Sequence, residues 1–416
     1  MKKPRIAIVS FPGNNGDTEN LRAFRRNDMD AFVFRWNDSR EKLVDVDGYF
    51  IGAGFTYEDR GRAGMVAGRD ALFTLLHEEA LRGKPVIGCC NGAQVLIESG
   101  LIPLGDGLRM SLARNAYERN GKVETPGFLN EWVWITRTCK RGRCATGNWD
   151  GVLQIPIAHG EGRFTTKDTD LLAALKENDQ LAFSYCDPEG NSATSPPYCP
   201  NGSTLGIAGI CNPEGNVVGL MPHPERTTNG DPYIRSIAQW IAEHPMHTSV
   251  RSDSYVDRTI VSPVLKQRAP TGMEIFIEAI IVNNEERTVE QAARRIISDM
   301  KLKQMKYVSA PTKEPGEILS HISLFNPNKE VAYIRRGSAF TLWDSTRKSE
   351  VPARSVLQGT LALLRRDEPQ TPPAMLGASS EIGVCYVCSG ASSSALLQQQ
   401  VLNIFGNPHS SILELL

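Results

Sequence analysis

Through residues 1–245, short apolar runs alternate with segments of helical spacing. Arg5–Phe11 and Asp30–Trp36 are apolar and partly β-branched, and Gly48–Gly54 and Pro85–Cys89 are shorter runs of the same kind. Such runs predict buried strands. Asp17–Asn27 opens on Gly16-Asp17-Thr18 and continues as a polar helix, a reasonable helix start. Ala63–Arg82 brings Leu72, Leu75, Leu76 and Leu81 to one side, and Gly92–Ser99 turns helical again. Strand and helix in alternation predict an α/β domain with a mainly parallel sheet covered by helices on both faces. Phe128–Ile135, Ile155–His159 and Val217–Met221 add strands, and Asp231–Glu243 closes the domain with Ile234, Ile237 and Ile241 on one helix face.

The rhythm breaks over residues 246–272, which mix His, Ser, Asp and Arg without periodicity and read as a linker. It restarts at Met273. Glu274–Val282 reads as a strand, Thr288–Met300 as a helix, and Lys306–Ala310, Val331–Ile334 and Ser338–Trp343 as short strands. Ala353–Arg366 has the spacing of an amphipathic helix. The expectation is a smaller α+β module over 273–416. Its last stretch, Ala374–Leu416, has no Lys or Arg but carries apolar runs at Ile382–Val387 and Ser410–Leu416, so it is expected to pack against something.

Composition narrows the function classes. Of 416 residues, 41% are hydrophobic and 22% charged, which is ordinary for a soluble globular chain. Lys plus Arg number 46 against 47 Asp plus Glu, a net charge of -1, so a global grip on nucleic acid is not expected. No uncharged apolar run approaches the roughly 18 residues of a membrane span, so no membrane partner is expected. The opening Met1–Phe11 pairs two lysines with an apolar stretch, but Pro12-Gly13 ends it early, and a first strand is the better reading than a signal peptide. Nine cysteines, two of them adjacent, are too sparse for a disulfide scaffold and point to a reducing cytoplasm.

The sharpest chemical signal is Gly88-Cys89-Cys90-Asn91-Gly92-Ala93-Gln94, after a strand and before a helix. Glycines two residues either side of a central residue permit a tight strand-to-helix turn that projects its side chain from the sheet edge. The central residue is Cys90, whose thiol at a helix N-terminus would favour the thiolate. Cys89 would then point back into the sheet as an apolar residue. A thiol nucleophile needs a base and the base an orienting partner. Met221-Pro222-His223-Pro224-Glu225-Arg226 offers both, because in an extended segment His223 and Glu225 lie on the same side.

Together these segments resemble the class I (triad) glutamine amidotransferases. Within that class they resemble the family of glutaminase subunits of phosphoribosylformylglycinamidine synthase, with a C-terminal extension of unrecognised type. The resemblance rests on Phe11-Pro12-Gly13-Asn14-Asn15-Gly16-Asp17, on Gly54-Phe55-Thr56-Tyr57-Glu58-Asp59 with Arg62-Ala63-Gly64, and on Pro156–Phe164. Asn201-Gly202-Ser203 and Ile207–Ile210 follow in the family's order. It implies a flavodoxin-like sheet and attack of Cys90 on the side-chain amide of L-glutamine, with His223 and Glu225 completing the triad. The backbone N–H of Gly54 or Phe55 and that of Asn91 would hold the oxyanion, and Gln94 would shape the glutamine pocket. Ammonia would pass to a partner synthetase subunit that amidates formylglycinamide ribonucleotide with ATP and Mg, and family analogy adds a small accessory subunit bridging the two. His159 and Glu161 fall in a family motif without an evident chemical step. Ala53 stands where the family usually has the first Gly of its loop, and Glu58 replaces another Gly. Ala53 bears on the oxyanion loop, since Ala tolerates positive φ poorly.

No cofactor is expected in this chain. Gly83-Lys84 and Gly121-Lys122 are not followed by Ser or Thr, so no phosphate-cradling loop of the G-x-x-x-x-G-K-[ST] type occurs. No metal site is expected either: Cys385-Tyr386-Val387-Cys388 lies in an apolar run, and Cys139, Cys144, Cys186 and Cys199 make a weak four-Cys candidate. The 273–416 module is open to two readings, an accessory-subunit-like fold or another interaction module. Two alternatives to the leading function remain at this stage: the same glutaminase serving a different synthetase, and a non-catalytic scaffold that keeps the triad as a relic.

Overall fold

The structure is a computed structural model that describes residues 3–244, 265–377 and 379–416. Most of the linker expected at 246–272 lies outside the described residues. The chain divides into two compact units, Met1–Val261 and Ser262–Leu416.

The first unit is built on a nine-stranded sheet. Its strands are β1 (Arg5–Ser10), β2 (Asp30–Arg35), β3 (Gly48–Ile51), β4 (Val86–Cys89), β5 (Leu129–Arg137), β6 (Val152–His159), β7 (Phe183–Cys186), β8 (Ile207–Cys211) and β9 (Val217–Leu220). Their order is β2-β1-β3-β4-β9-β8-β7-β5-β6. The pairs from β2 to β9 are parallel, and those from β9 to β6 are antiparallel. The sheet is therefore mixed, with its parallel half carrying the β-α-β rhythm. Helices α1 (Asp17–Arg26), α2 (Leu72–Leu81), α3 (Asn91–Ser99), α4 (Thr169–Glu177) and α5 (Asp231–Glu243) complete the unit.

The apolar runs of the parallel strands are explained by burial on both faces. In β1, Ile6 and Ile8 join Phe24 of α1 and Tyr233, Ile234 and Ile237 of α5 on one side. Ala7 and Val9 join Leu72 and Leu76 of α2 and Val95 and Leu96 of α3 on the other. The expected helix Ala63–Arg82 is shorter than its pattern: a 3₁₀ turn at Ala67–Arg69 precedes α2.

The second unit is a nine-stranded sheet in the order Lys266–Gln267, Ser411–Leu415, Leu361–Asp367, Glu381–Ser389, Lys301–Ser309, Glu274–Ala279, Glu330–Arg336, Ala339–Asp344, Ser349–Ala353. Its longest helix is Asn284–Arg294, and the unit is α+β. The helix expected at Ala353–Arg366 is instead a loop leading into a strand. Leu361, Leu363 and Leu364 are all buried, so the strand is apolar on both faces and its leucines mimic helical spacing. Pro352 and Gly359 further argue against a helix there. The basic-free tail pairs inside this sheet through Glu381–Ser389 and Ser411–Leu415.

The approach of α3 to the sheet generates a stability test. A Cβ at Gly92 would lie 1.9 Å from the Ile51 carbonyl oxygen, and one at Gly88 would lie 2.5 Å from Gly92 backbone atoms. Backbone cannot swing aside as a side-chain end can. Gly92→Ala is expected to lower stability by about 3 kcal/mol or more, read as a lower urea midpoint by tryptophan fluorescence. An unchanged midpoint would show that helix and strand can separate freely.

Candidate functional site

The site lies where β4 and β9, neighbours in the parallel half, end. Cys89 closes β4, Cys90 turns, and α3 starts at Asn91. Cys90 has φ 52 and ψ -110, outside the basins ordinary residues prefer. The turn is pinned on both sides. The Cys90 N–H donates to the Leu220 carbonyl of β9 at 2.8 Å, and the Cys90 carbonyl accepts from Ala93 and Gln94 N–H at 3.0 and 3.2 Å. The two adjacent cysteines go to opposite cores, Cys89 with Ile87 and Tyr233 and Cys90 with Ala93 and Met221. Burial pushes the Cys89 thiol well up, with the charge of Glu225 adding to it, so Cys89 is an inert thiol.

Past β9 the chain turns through Met221 and Pro222 to His223. The His223 N–H donates to the Pro156 carbonyl of β6 at 2.8 Å, which docks the segment on that edge strand. His223 Nδ1 and Glu225 Oε1 are 2.6 Å apart, and both side chains are buried. Burial opposes a charge on His223. The charges of Cys90 and Glu225, with their hydrogen-bonding tendency, outweigh it and raise the imidazole to about 10. His223 Nε2 makes no hydrogen bond of ordinary geometry, although Cys90 is near enough to raise the ring. Such looseness is usual before substrate binds. Cys90 Sγ lies 3.7 Å from the Ala158 carbonyl oxygen of β6.

The expected oxyanion loop lies alongside. Gly54 has φ +153, and a Cβ there would lie 2.7 Å from the Asn14 Cα. The neighbouring Ala53 is not among the residues with positive φ, so its departure from the family pattern leaves the backbone unstrained. The Phe55 N–H is engaged by the Gly13 carbonyl at 3.0 Å and is not free to receive an oxyanion in this state. The Asn91 N–H belongs to the first turn of α3, where no intrahelical carbonyl reaches it. Gln94 is buried, and its Nε2 donates to the Glu161 carbonyl.

Sequence reasoning used only the backbone N–H of Asn91 and gave no role to its side chain, to Thr56 or to Asp59, which join these parts. Asn91 Oδ1 accepts from the Thr56 N–H at 3.0 Å, while Asn91 Nδ2 donates to Asp59 Oδ1 at 3.1 Å and Gln94 Oε1 at 2.8 Å. One side chain thus ties the loop to the first turn of α3. Tyr57, Glu58 and Asp59 all have positive φ, at 52, 57 and 52. Glu58 sits in the left-handed region where the family has Gly, so this departure does carry strain. Burial pushes Asp59 up to about 7, with the charge of Glu161 adding to it and the Asn91 hydrogen bond opposing. The signal was there in the Gly54–Asp59 motif, but only the folded loop says which atoms it serves.

The cysteine candidates resolve differently. Cys139, Cys144, Cys199 and Cys211 lie in one buried apolar cluster that does not include Cys186, and the Cys144 thiol faces the Thr146 hydroxyl at 3.9 Å. Among the described residues no group of three or more His, Cys, Asp or Glu could hold a metal ion.

A buried His–Glu pair beside a thiol on a strained strand-to-helix turn can carry acyl transfer through a thioester. The CobB/CobQ-like glutamine amidotransferase domain matches residues 3–243. The chain belongs to that family. The phosphoribosylformylglycinamidine synthase subunit PurQ of Methanothrix thermoacetophila is 46% identical over 226 residues, 53% of this chain and 86% of that protein. The PurQ subunit of Thermomicrobium roseum is 39% identical over 242 residues, 56% of this chain and 94% of that protein. Among solved structures, PurLQS from Thermotoga maritima is 29% identical and covers 58% of this chain and 100% of its own, with a TM-score of 0.46. The second unit lies outside the amidotransferase match.

In this amidotransferase, Glu225 is one of the groups that raise His223, so removing its charge moves the titration of the ring. Glu225→Gln is expected to cost about 100-fold or more in glutamine turnover. The alkaline limb, set by proton loss from His223 at about 10, should shift to lower pH, because the protonated ring loses a stabilising charge. An alkaline limb that stays in place would show that Glu225 does not hold the ring charged.

Proposed function

We infer that this chain is the glutaminase subunit of phosphoribosylformylglycinamidine synthase and supplies ammonia for purine biosynthesis. The observation that carries the reading is the Cys90–His223–Glu225 assembly, set in a domain matched over most of their length by PurQ subunits. Cys90 attacks the side-chain amide carbon of glutamine. The oxyanion is held by the Asn91 N–H and, from the loop, by Gly54. His223 gives its proton to the nitrogen as the C–N bond breaks, leaving a glutamyl thioester on Cys90 that water hydrolyses. Gln94, held by Asn91 and the Glu161 carbonyl, walls the glutamine pocket.

The acceptor site belongs to a partner. A synthetase subunit amidates formylglycinamide ribonucleotide there, and ATP and Mg bind on that subunit rather than on this chain. The setting is cytoplasmic; among the described residues no helix is long and apolar enough to cross a membrane. The 273–416 module serves assembly, in the manner of an accessory subunit or another docking element.

Two experiments test this. Cys90→Ala is expected to reduce glutamine-dependent synthesis by more than about 1,000-fold, while added ammonium still drives the synthetase at the normal rate. Glutamine-dependent synthesis surviving in this variant, but lost in Cys89→Ala, would move the nucleophile by one residue. Truncation at residue 245 is expected to leave a folded domain that still forms the thioester but assembles less tightly with the synthetase. Loss of thioester formation in a folded truncated domain would place the second unit in the active site and end the docking reading.

A further inference from the structure

The chemistry above uses one buried histidine, and the strand beside Cys90 carries a second. His159 ends β6, one residue after the carbonyl that faces Cys90 Sγ at 3.7 Å. It is 3% exposed, and neither ring nitrogen has a hydrogen-bond partner among the described residues. Its backbone is clamped: Asn115 Nδ2 donates to the His159 carbonyl at 2.9 Å, and Asn115 Oδ1 accepts from the Gly162 N–H at 3.1 Å. A Cβ at Gly162 would fall 2.1–2.6 Å from the His159 ring atoms, so glycine there makes the room the ring occupies. A buried donor and acceptor without partners are costly, and a folded chain keeps such a group where a ligand meets it.

We propose that His159 is the first hydrogen-bonding station for the ammonia released at Cys90. The proposal rests on the glutaminase reading and extends it to the fate of the product. When the C–N bond breaks, its electron pair leaves with the nitrogen. The proton from His223 then completes NH₃, leaving His223 neutral and the acyl group on Cys90. Ammonia is a nucleophile only while it stays unprotonated. A neutral imidazole offers it one N–H and one lone pair and no acidic proton. Burial, with the charge of His223 adding to it, pushes His159 down to about 3, so the ring remains neutral at physiological pH. The two neighbouring histidines thus divide the work: His223 carries the proton and His159 receives the product without giving it one.

The test compares His159→Leu and His159→Gln with the unaltered chain, each assembled with the synthetase, measuring glutamate formed, product formed and ammonia released. In the unaltered complex, product and glutamate should form in nearly equal amounts. His159→Leu should keep glutamate formation within about threefold while product per glutamate falls about fivefold or more and free ammonia rises to match. His159→Gln, which keeps a donor and an acceptor, should recover most of the coupling, and ammonium-driven synthesis should be unchanged in both. Unaltered coupling in His159→Leu would overturn the proposal and leave the ring a packing element. A parallel fall in glutamate and product would also overturn it, since His159 would then act on thioester formation. If His159→Leu does not fold, nitrogen NMR of ring-labelled histidine in the unaltered chain decides. Titration with ammonium chloride at alkaline pH should shift the His159 signals saturably, and no shift would overturn the proposal. An unaltered complex that forms no glutamate would sink the glutaminase reading itself and this proposal with it.

Discussion

A single backbone turn at Cys90 sets the terms for the rest of the site. A non-glycine residue at φ 52 and ψ -110 costs on the order of 1–3 kcal/mol, and it persists only where its surroundings over-determine it. Here they do. Gly88 and Gly92 let helix and strand meet at backbone contact, and the Cys90 amide is held by the Leu220 carbonyl. Leu220 ends the strand that runs on to His223, so the bond that pins Cys90 also fixes where His223 emerges. A second bond, from the His223 amide to the Pro156 carbonyl, brings β6 against the other side of the site. Cys90 and His223 are thus placed by strand ends rather than by long loops, as geometry-sensitive chemistry requires.

The loop opposite is built differently. Its three successive left-handed residues, Tyr57 to Asp59, contain no glycine, so it sits in a conformation its sequence disfavours. Opposing that tendency are Asn91, which reaches from the first turn of α3 to Thr56 and Asp59, and the Phe55 and Tyr57 N–H groups, which donate to the Gly13 and Pro12 carbonyls. An element strained locally and held by a few polar contacts is one that a bound substrate or partner can move at low cost. Because Asn91 directly follows Cys90, any shift of the loop is felt one residue from that thiol.

Legibility in the sequence followed how local each cause is. The parallel half was readable because each strand is apolar on both faces and bounded by breakers, as Ile6 to Val9 illustrate. The strand Phe183–Cys186 escaped notice because four residues, all buried, carry no period. Leu361–Asp367 was misread for a related reason: leucines buried on both sides of a strand look like a helix face. The Cys90 turn and the His223–Glu225 pair were legible because their signals are short range, two glycines around Cys90 and a two-residue step from His223 to Glu225. The Thr56–Asn91–Asp59 ties span 35 and 32 residues of chain, and nothing in either segment names the other. Likewise, that the Phe55 amide is spent on Gly13 follows from a loop pairing that spacing does not reveal.

The second unit bears on function through what its buried groups are doing. Glu274, fully buried, accepts from Tyr307 Oη at 2.6 Å and from Arg335 Nε at 2.6 Å, and Arg268 reaches Tyr307 Oη at 3.1 Å and Glu414 at 3.0 Å. These side chains come from strands spread across the sheet, so the charges answer one another inside the unit. A buried ion network adds little net stability over apolar packing, but a slipped register would leave charges unpaired, and that penalty selects one arrangement. Cys385 and Cys388 are buried and pushed up by desolvation, Cys388 to about 12, so they stay as protonated thiols with neither nucleophilic nor metal-binding character. The interior of this unit is thus accounted for by its own register, with its ion pairs joining strands of one sheet.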